Sequence, residues 1–388
     1  MTTQEEGAPS DASAKAGPFV LARDGLHDLI QALKSQGYTP VGPVVQDGAI
    51  VLDEIDSADD LPWGWTDDQE AGRYRLAHEH HPSAFHFTQG PQSFKKHLYP
   101  PEVRLWRASK NGNGFTVEED RPPAPRYAFL GVRACDLAAI DVLDRVFDRS
   151  DHPDPTYQAR RHDALFVAVN CATAGGTCFC VSMDTGPKAK SGFDLALTEV
   201  VDEPRHDFVI EVGSERGRDV LAGLAVTPAD EHDVSATARV SERTMGMMGR
   251  SLDTDGLAER LSQNIDHPHW NKVAERCLTC ANCTMVCPTC FCSTVDDRLD
   301  LDGAHAERWR HWDSCFTLDF TFTAGGAIRQ GGASRYRQWL THKLSTWVDQ
   351  FDTFGCVGCG RCISWCPVGI DITDEAAAIV RPQSGQGD

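Results

Sequence analysis

Residues 277–288 read Cys277-Leu-Thr-Cys280-Ala-Asn-Cys283-Thr-Met-Val-Cys287-Pro288, and residues 356–367 repeat the pattern as Cys356-Val-Gly-Cys359-Gly-Arg-Cys362-Ile-Ser-Trp-Cys366-Pro367. Both are C-x2-C-x2-C-x3-C-P, a run that holds 4Fe-4S clusters with its fourth cysteine given to the other cluster. Three thiolates at steps of three residues wrap one cube, a helical turn carries the fourth onward, and proline redirects the chain. The spacing assigns one cluster to Cys277, Cys280, Cys283 and Cys366, and a second to Cys356, Cys359, Cys362 and Cys287. Structural zinc is the rival reading. It favours two CxxC knuckles joined by a variable loop, which two complete four-cysteine runs match less well.

The remaining composition fits a redox protein in a reducing compartment. The chain has 388 residues, 41% of them hydrophobic, enough for a buried core, so a wholly disordered protein is excluded. Its formal charge of −20 and the lack of any Lys/Arg cluster argue against a nucleic-acid partner. No apolar run approaches the roughly 18 residues that span a bilayer. The first twenty residues lack the apolar stretch of a secretion signal. A cytoplasmic location is expected, and there fifteen cysteines ask for metal rather than disulfides.

The cysteines divide the chain, four of them before residue 265 and eleven after. The expected organisation is a disordered tail over 1–19, an α/β domain over 20–265, a mainly α-helical dicluster ferredoxin domain over 266–380, and a polar tail over 381–388. In the first domain, Leu26, Leu29, Ile30 and Leu33 predict a helix over 24–36, closed by Gly37. Short strands follow at Val41–Val45 and Ala49–Asp53, and residues 54–72 read as an acidic surface loop. Tyr127–Val132 and Ala164–Val169 are continuous apolar runs, the pattern of strands covered on both faces. Asp136 is placed as the N-cap of a helix carrying Leu137, Ile140, Leu143 and Phe147, which suggests a parallel βαβ unit. Phe208–Val212 predicts a further strand, with a helix near Arg218–Leu224. No strand is expected after about Asp233, and the long segment 288–355 reads as helical from the core stripe Tyr336, Leu340, Leu344, Trp347 and Phe351.

Several segments are distinctive beyond the cysteine runs: CLTCANCTMVCPTCFC (277–292), GVRACDLAAIDVLDRVF (131–147), NCATAGGTCFCVSMDTGP (170–187), SFKKHLYPP (93–101) and RYRQWLTHKL (335–344). By these the chain resembles, from about residue 20 to 375, the iron–sulfur beta subunit of NAD(P)-linked nickel–iron hydrogenases (sulfhydrogenases). It is similar also to the iron–sulfur subunit of anaerobic sulfite reductase that passes electrons to a sirohaem subunit. The resemblance implies a two-cluster helical ferredoxin domain and an electron-transfer role. Its partners would be the nickel–iron hydrogenase small and large subunits together with a flavin/NAD(P)-binding subunit, or a sirohaem sulfite reductase subunit. A stand-alone iron–sulfur oxidoreductase is the rival of another class. The residues fit a carrier, because no G-x-G-x-x-G follows a strand and no further C-x-x-C pair suits a nickel–iron centre. No catalytic residue is indicated.

Cys135, Cys171, Cys178 and Cys180 are the four cysteines of the first domain. Cys135 and Cys171 each follow the carboxyl end of a predicted strand, where ligands collect in open parallel sheets. Gly175 and Gly176 would let the backbone turn between Cys171 and Cys178, and a helix N-terminus would favour the Cys135 thiolate. A third 4Fe-4S cluster, structural zinc and plain buried thiols are the three readings open for this set. Cys290, Cys292 and Cys315 are left over, and packing beside a cluster near Phe291 and Trp312 is expected of them. The run His78-Glu79-His80-His81 points in successive directions and reads as an exposed turn. Lys95 and Lys96 read as surface or partner-facing residues, and the acidic excess as solubility.

Overall fold

The computed structural model describes residues 17–119, 124–202 and 204–381. The expected tails lie outside these residues as far as 16 and from 382 onward, while Phe19 already opens the first strand, Phe19–Ala22.

A mixed eight-stranded sheet organises the first part of the chain. Its order is Val226–Pro228, Phe19–Ala22, Arg205–Val212, Leu195–Asp202, Leu165–Val169, Tyr127–Val132, Thr39–Gln46 and Ala49–Glu54. The four strands from Leu195–Asp202 to Thr39–Gln46 run parallel, and antiparallel strands flank them on both sides. Tyr127–Val132 and Leu165–Val169 are neighbours, with Phe129 opposite Phe166. Their alternate residues serve two cores. Leu130, Leu165 and Val167 meet Leu26, Leu29, Ile30 and Leu33 of the helix Gly25–Ser35. Phe129, Phe166 and Ala168 meet Leu137, Ile140 and Leu143 of the helix Ala134–Phe147. Each such fully buried large side chain contributes about 1.5–3 kcal/mol. The sheet is therefore clad on both faces, which is why those two strands are apolar throughout.

Three expectations are corrected. Asp136 does not cap its helix: Arg133 holds the cap position, and Asp136 sits in the first turn, 2% exposed, with its carboxylate 3.0 Å from the Arg361 guanidinium. Residues 54–72 are not simply a surface loop, because Trp65–Glu70 pairs with Arg73–His78 as a hairpin. Its tip reaches the second cysteine run, where the Gly72 N–H donates to the Ile363 carbonyl at 3.0 Å.

The third correction concerns the segment after Asp233. Strands Ser293–Leu299 and His305–Trp312 form a hairpin there, and His305–Trp312 pairs with Glu102–Asn111 to build a four-stranded sheet with Gly114–Glu119. The expected helical stripe follows it, as helices Gly332–Thr341 and Trp347–Phe351 joined by a π-helical turn, His342–Thr346. Tyr336, Trp339, Leu340 and Leu344 bury there against Trp270, Phe316 and Ile363.

Candidate iron–sulfur sites

The two cysteine runs fold alike. Thr279 and Ala281 in the first, and Gly358 and Gly360 in the second, all adopt left-handed backbone with φ of 50°, 67°, 64° and 78°. These positions flank the middle cysteine of each run and turn successive sulfurs inward. The first run tolerates Thr and Ala despite the strain. The second requires glycine, since a Cβ on Gly358 would meet the Phe179 carbonyl oxygen at 2.6 Å and one on Gly360 the Thr177 carbonyl oxygen at 2.4 Å.

Cys277, Cys280, Cys283 and Cys366 line one cavity, closed by Phe316, Tyr336 and Trp339. Cys287, Cys356, Cys359 and Cys362 line a second, closed by Phe179, Pro288 and Lys343. Cys135, Cys171, Cys178 and Cys180 line a third, with Thr88, Gln89, Arg133 and Met248. Each of the three expected sets thus faces a common space. The cavities also share walls: Cys359 borders the third and the second, and Cys362 borders the second and the first. Cys280 is exposed at the outer end of the first.

The donor sets suit cubes better than single ions. Zinc–sulfur bonds of about 2.3 Å bring tetrahedral sulfurs within about 3.8 Å of one another. Among the described residues, the one trio of His, Cys, Asp or Glu with all ligand atoms within 4.8 Å is Asp230, His232 and Asp233, at a helix start where Asp230 and Asp233 cap each other's N–H groups. No three cysteine sulfurs among those residues approach that closely. Around the first cavity, the buried Tyr336 hydroxyl and Trp339 indole N–H have no protein partner, so donors are available to a sulfide-bearing ligand. Backbone N–H groups are also spent on sulfur, Thr279 on Cys277 at 3.4 Å and Ile370 on Cys366 at 3.3 Å.

Burial pushes most of these thiols up, to about 12 for Cys178 and Cys356 and well above the ordinary value for Cys135, Cys283 and Cys362, with neighbouring cysteines adding repulsion. Four buried sulfurs cannot all ionise without cationic compensation, which iron would supply. Cys287 departs from the rest: the Cys290 thiol donates to its sulfur and the Lys343 ammonium lies 3.1 Å away, which holds it well below the ordinary thiol range.

In the third site, Cys135 does begin the helix Ala134–Phe147 and Cys171 follows the strand Leu165–Val169, as expected. The turn expected at its glycines is present, the Cys178 N–H donating to the Gly175 carbonyl at 3.1 Å, and they serve a second purpose. Gly175 and Gly176 are needed for close approach, since a Cβ on the first would meet Thr88 Oγ1 at 2.9 Å and on the second the Gln69 carbonyl oxygen at 2.2 Å. The hairpin 65–78 thus packs directly on the loop that carries Cys178. Of the leftover cysteines, Cys290 lies against Cys287, and the Cys315 thiol donates to Cys292, whose pKa drops to about 7.

Two lysines escaped the sequence reading. Lys95, expected at the surface, is 4% exposed and donates to the carbonyls of Cys287 and Cys290, both at 2.9 Å, while lying 3.9 Å from the Trp312 ring centroid. Lys343, inside the apolar stripe, is equally buried. Nothing local marks either as buried, because their acceptors come from distant segments.

The profile of the 4Fe-4S dicluster domain family matches residues 276–370. Over 280 residues the chain is 35% identical to sulfhydrogenase 2 subunit beta of Pyrococcus furiosus, an alignment covering 71% of this chain and 79% of that one. No solved structure matches the chain.

Proposed function

We propose that this chain, which belongs to the sulfhydrogenase beta-subunit family, carries electrons within a multi-subunit hydrogenase complex. It would link a flavin/NAD(P)-binding subunit to the nickel–iron module through three 4Fe-4S clusters. Their ligands would be Cys277, Cys280, Cys283 and Cys366; Cys356, Cys359, Cys362 and Cys287; and Cys135, Cys171, Cys178 and Cys180. When bound, such clusters take and give electrons singly.

The observation that carries this reading is the row of three four-cysteine cavities with Cys359 and Cys362 as shared walls. Around that row the chain excludes water with Phe179, Phe316, Tyr336 and Trp339, each no more than 4% exposed. Cys280 brings the outer end of the first site to the surface, an entry or exit for electrons.

No helix among the described residues is long and apolar enough to cross a membrane, so the reading needs no membrane partner. The test is purification of the native assembly, with identification of attached chains and iron analysis. About twelve irons per chain beside a flavoprotein and nickel–iron subunits is the expected result. A sirohaem subunit in their place would redirect the reading to sulfite reduction, and iron-free protein would end it.

A further inference from the structure

We infer that Lys343 is a potential-setting residue, which raises the reduction potential of the site of Cys287, Cys356, Cys359 and Cys362. This rests on the proposed reading of those four cysteines as cluster ligands.

Lys343 lies on the π-helical turn His342–Thr346, a distortion often kept where a side chain must be aimed. Its ammonium is 3.1 Å from the Cys287 sulfur, 3.1 Å from Thr289 Oγ1 and 3.4 Å from the Gly355 carbonyl oxygen. The turn is fixed from outside, because the Gly355 N–H donates to the Lys343 carbonyl at 2.8 Å and the Thr289 hydroxyl to the Gly355 carbonyl at 2.6 Å. Among the described residues no carboxylate pairs with this ammonium. A buried cation without a carboxylate takes its compensation from whatever negative charge is near, and here that is the sulfur of Cys287.

A four-thiolate cluster is anionic, and accepting an electron makes it more so. A fixed positive charge beside a ligand sulfur therefore favours the reduced form, as does every hydrogen bond to that sulfur. The Cys290 thiol, which donates to the same sulfur, acts in the same sense. Among the described residues the first site lacks an equivalent. No charged side chain of those residues lines the first cavity. Of the other buried cations near the second site, Arg361 is already neutralised by Asp136 at 3.0 Å, and Lys95 spends its ammonium on the carbonyls of Cys287 and Cys290, both at 2.9 Å. Arg133, beside the third, donates to the carbonyls of Phe85 and Phe87, both at 3.0 Å, and also reaches the Cys171 sulfur, so the third site has a buried cation of its own.

The test is an EPR-monitored redox titration of iron-loaded full-length protein, comparing wild type with Lys343→Met and Lys343→Arg. Lys343→Met is expected to move one midpoint to more negative potential and leave the others in place, and Lys343→Arg to keep it near wild type. Loss of one cluster from Lys343→Met alone supports the same role, since charge is the main difference between the two replacements. An unshifted midpoint in Lys343→Met, or loss of the cluster from both variants, overturns it. Wild-type protein without a second reducible cluster overturns the ligand reading beneath it, a result distinguishable because it appears before any substitution.

Discussion

The Phe179 N–H donates to the Gly358 carbonyl at 2.9 Å, so the backbone beside Cys178 and Cys180 runs directly against the loop between Cys356 and Cys359. The contact is possible because residue 358 has no side chain. Gly358→Ala would put a methyl 2.7 Å from the Cys180 backbone nitrogen and force a left-handed L-residue as well. The left-handed conformation alone costs about 1–2 kcal/mol, and separating the two loops adds to it. Gly358→Ala is expected to destabilise the protein by at least about 2 kcal/mol and to lower iron content. Chemical denaturation and iron assay of the variant check this; a wild-type midpoint would refute the tight joint.

The ligand exchange between the two runs predicts which signal each substitution removes. Cys366→Ser should abolish the cluster of Cys277, Cys280 and Cys283, though Cys366 lies in the other run. Cys287→Ser should likewise remove the cluster of Cys356, Cys359 and Cys362. EPR of the reduced variants separates this from the unexchanged arrangement, in which each substitution would strike the cluster of its own run.

The two cysteine runs of the dicluster domain were legible because their spacing is local and chemical. The central strands were legible because a strand covered on both faces has no polar alternation to hide it. The hairpin 293–312 was not. Asp296, Asp297, Arg298, Glu307 and Arg308 place charges on both of its faces, and ion pairs such as Arg308–Asp297 at 2.7 Å tie its strands together. Its partner strand, Glu102–Asn111, lies almost two hundred residues away, so no local pattern announces the pairing. Lys343 was hidden for a related reason: periodicity reports that residues 336–351 bury a face, but not that Cys287 and Gly355 supply acceptors for a cation within it.

The third site makes its own prediction. If Cys135, Cys171, Cys178 and Cys180 hold a cube, Cys178→Ala should reduce iron from about twelve to about eight per chain and leave the signals of the other two clusters in place. Metal analysis with EPR decides it. An unchanged iron content would return these four residues to the role of buried thiols, and zinc appearing at one per chain would favour the ion that their sulfur spacing argues against.

Acid should weaken the fold through His97. Burial, with Lys96 and Arg160 nearby, lowers its pKa from 6.5 to about 4, and its Nε2 has no hydrogen-bond partner while its ring packs edge-on to Tyr127. In the unfolded chain the imidazole binds a proton near pH 6.5; in the folded protein it resists until about pH 4. The unfolded state therefore binds more protons between these limits. Stability is complete above the upper one, falls as pH drops through the window, and levels off below the lower one, by up to about 3 kcal/mol. His97→Phe keeps the aromatic packing on Tyr127 and Phe129 and removes the titration. Urea midpoints at pH 7.5 and 5 should therefore differ less for His97→Phe than for wild type, and equal differences would show that His97 does not titrate in this window.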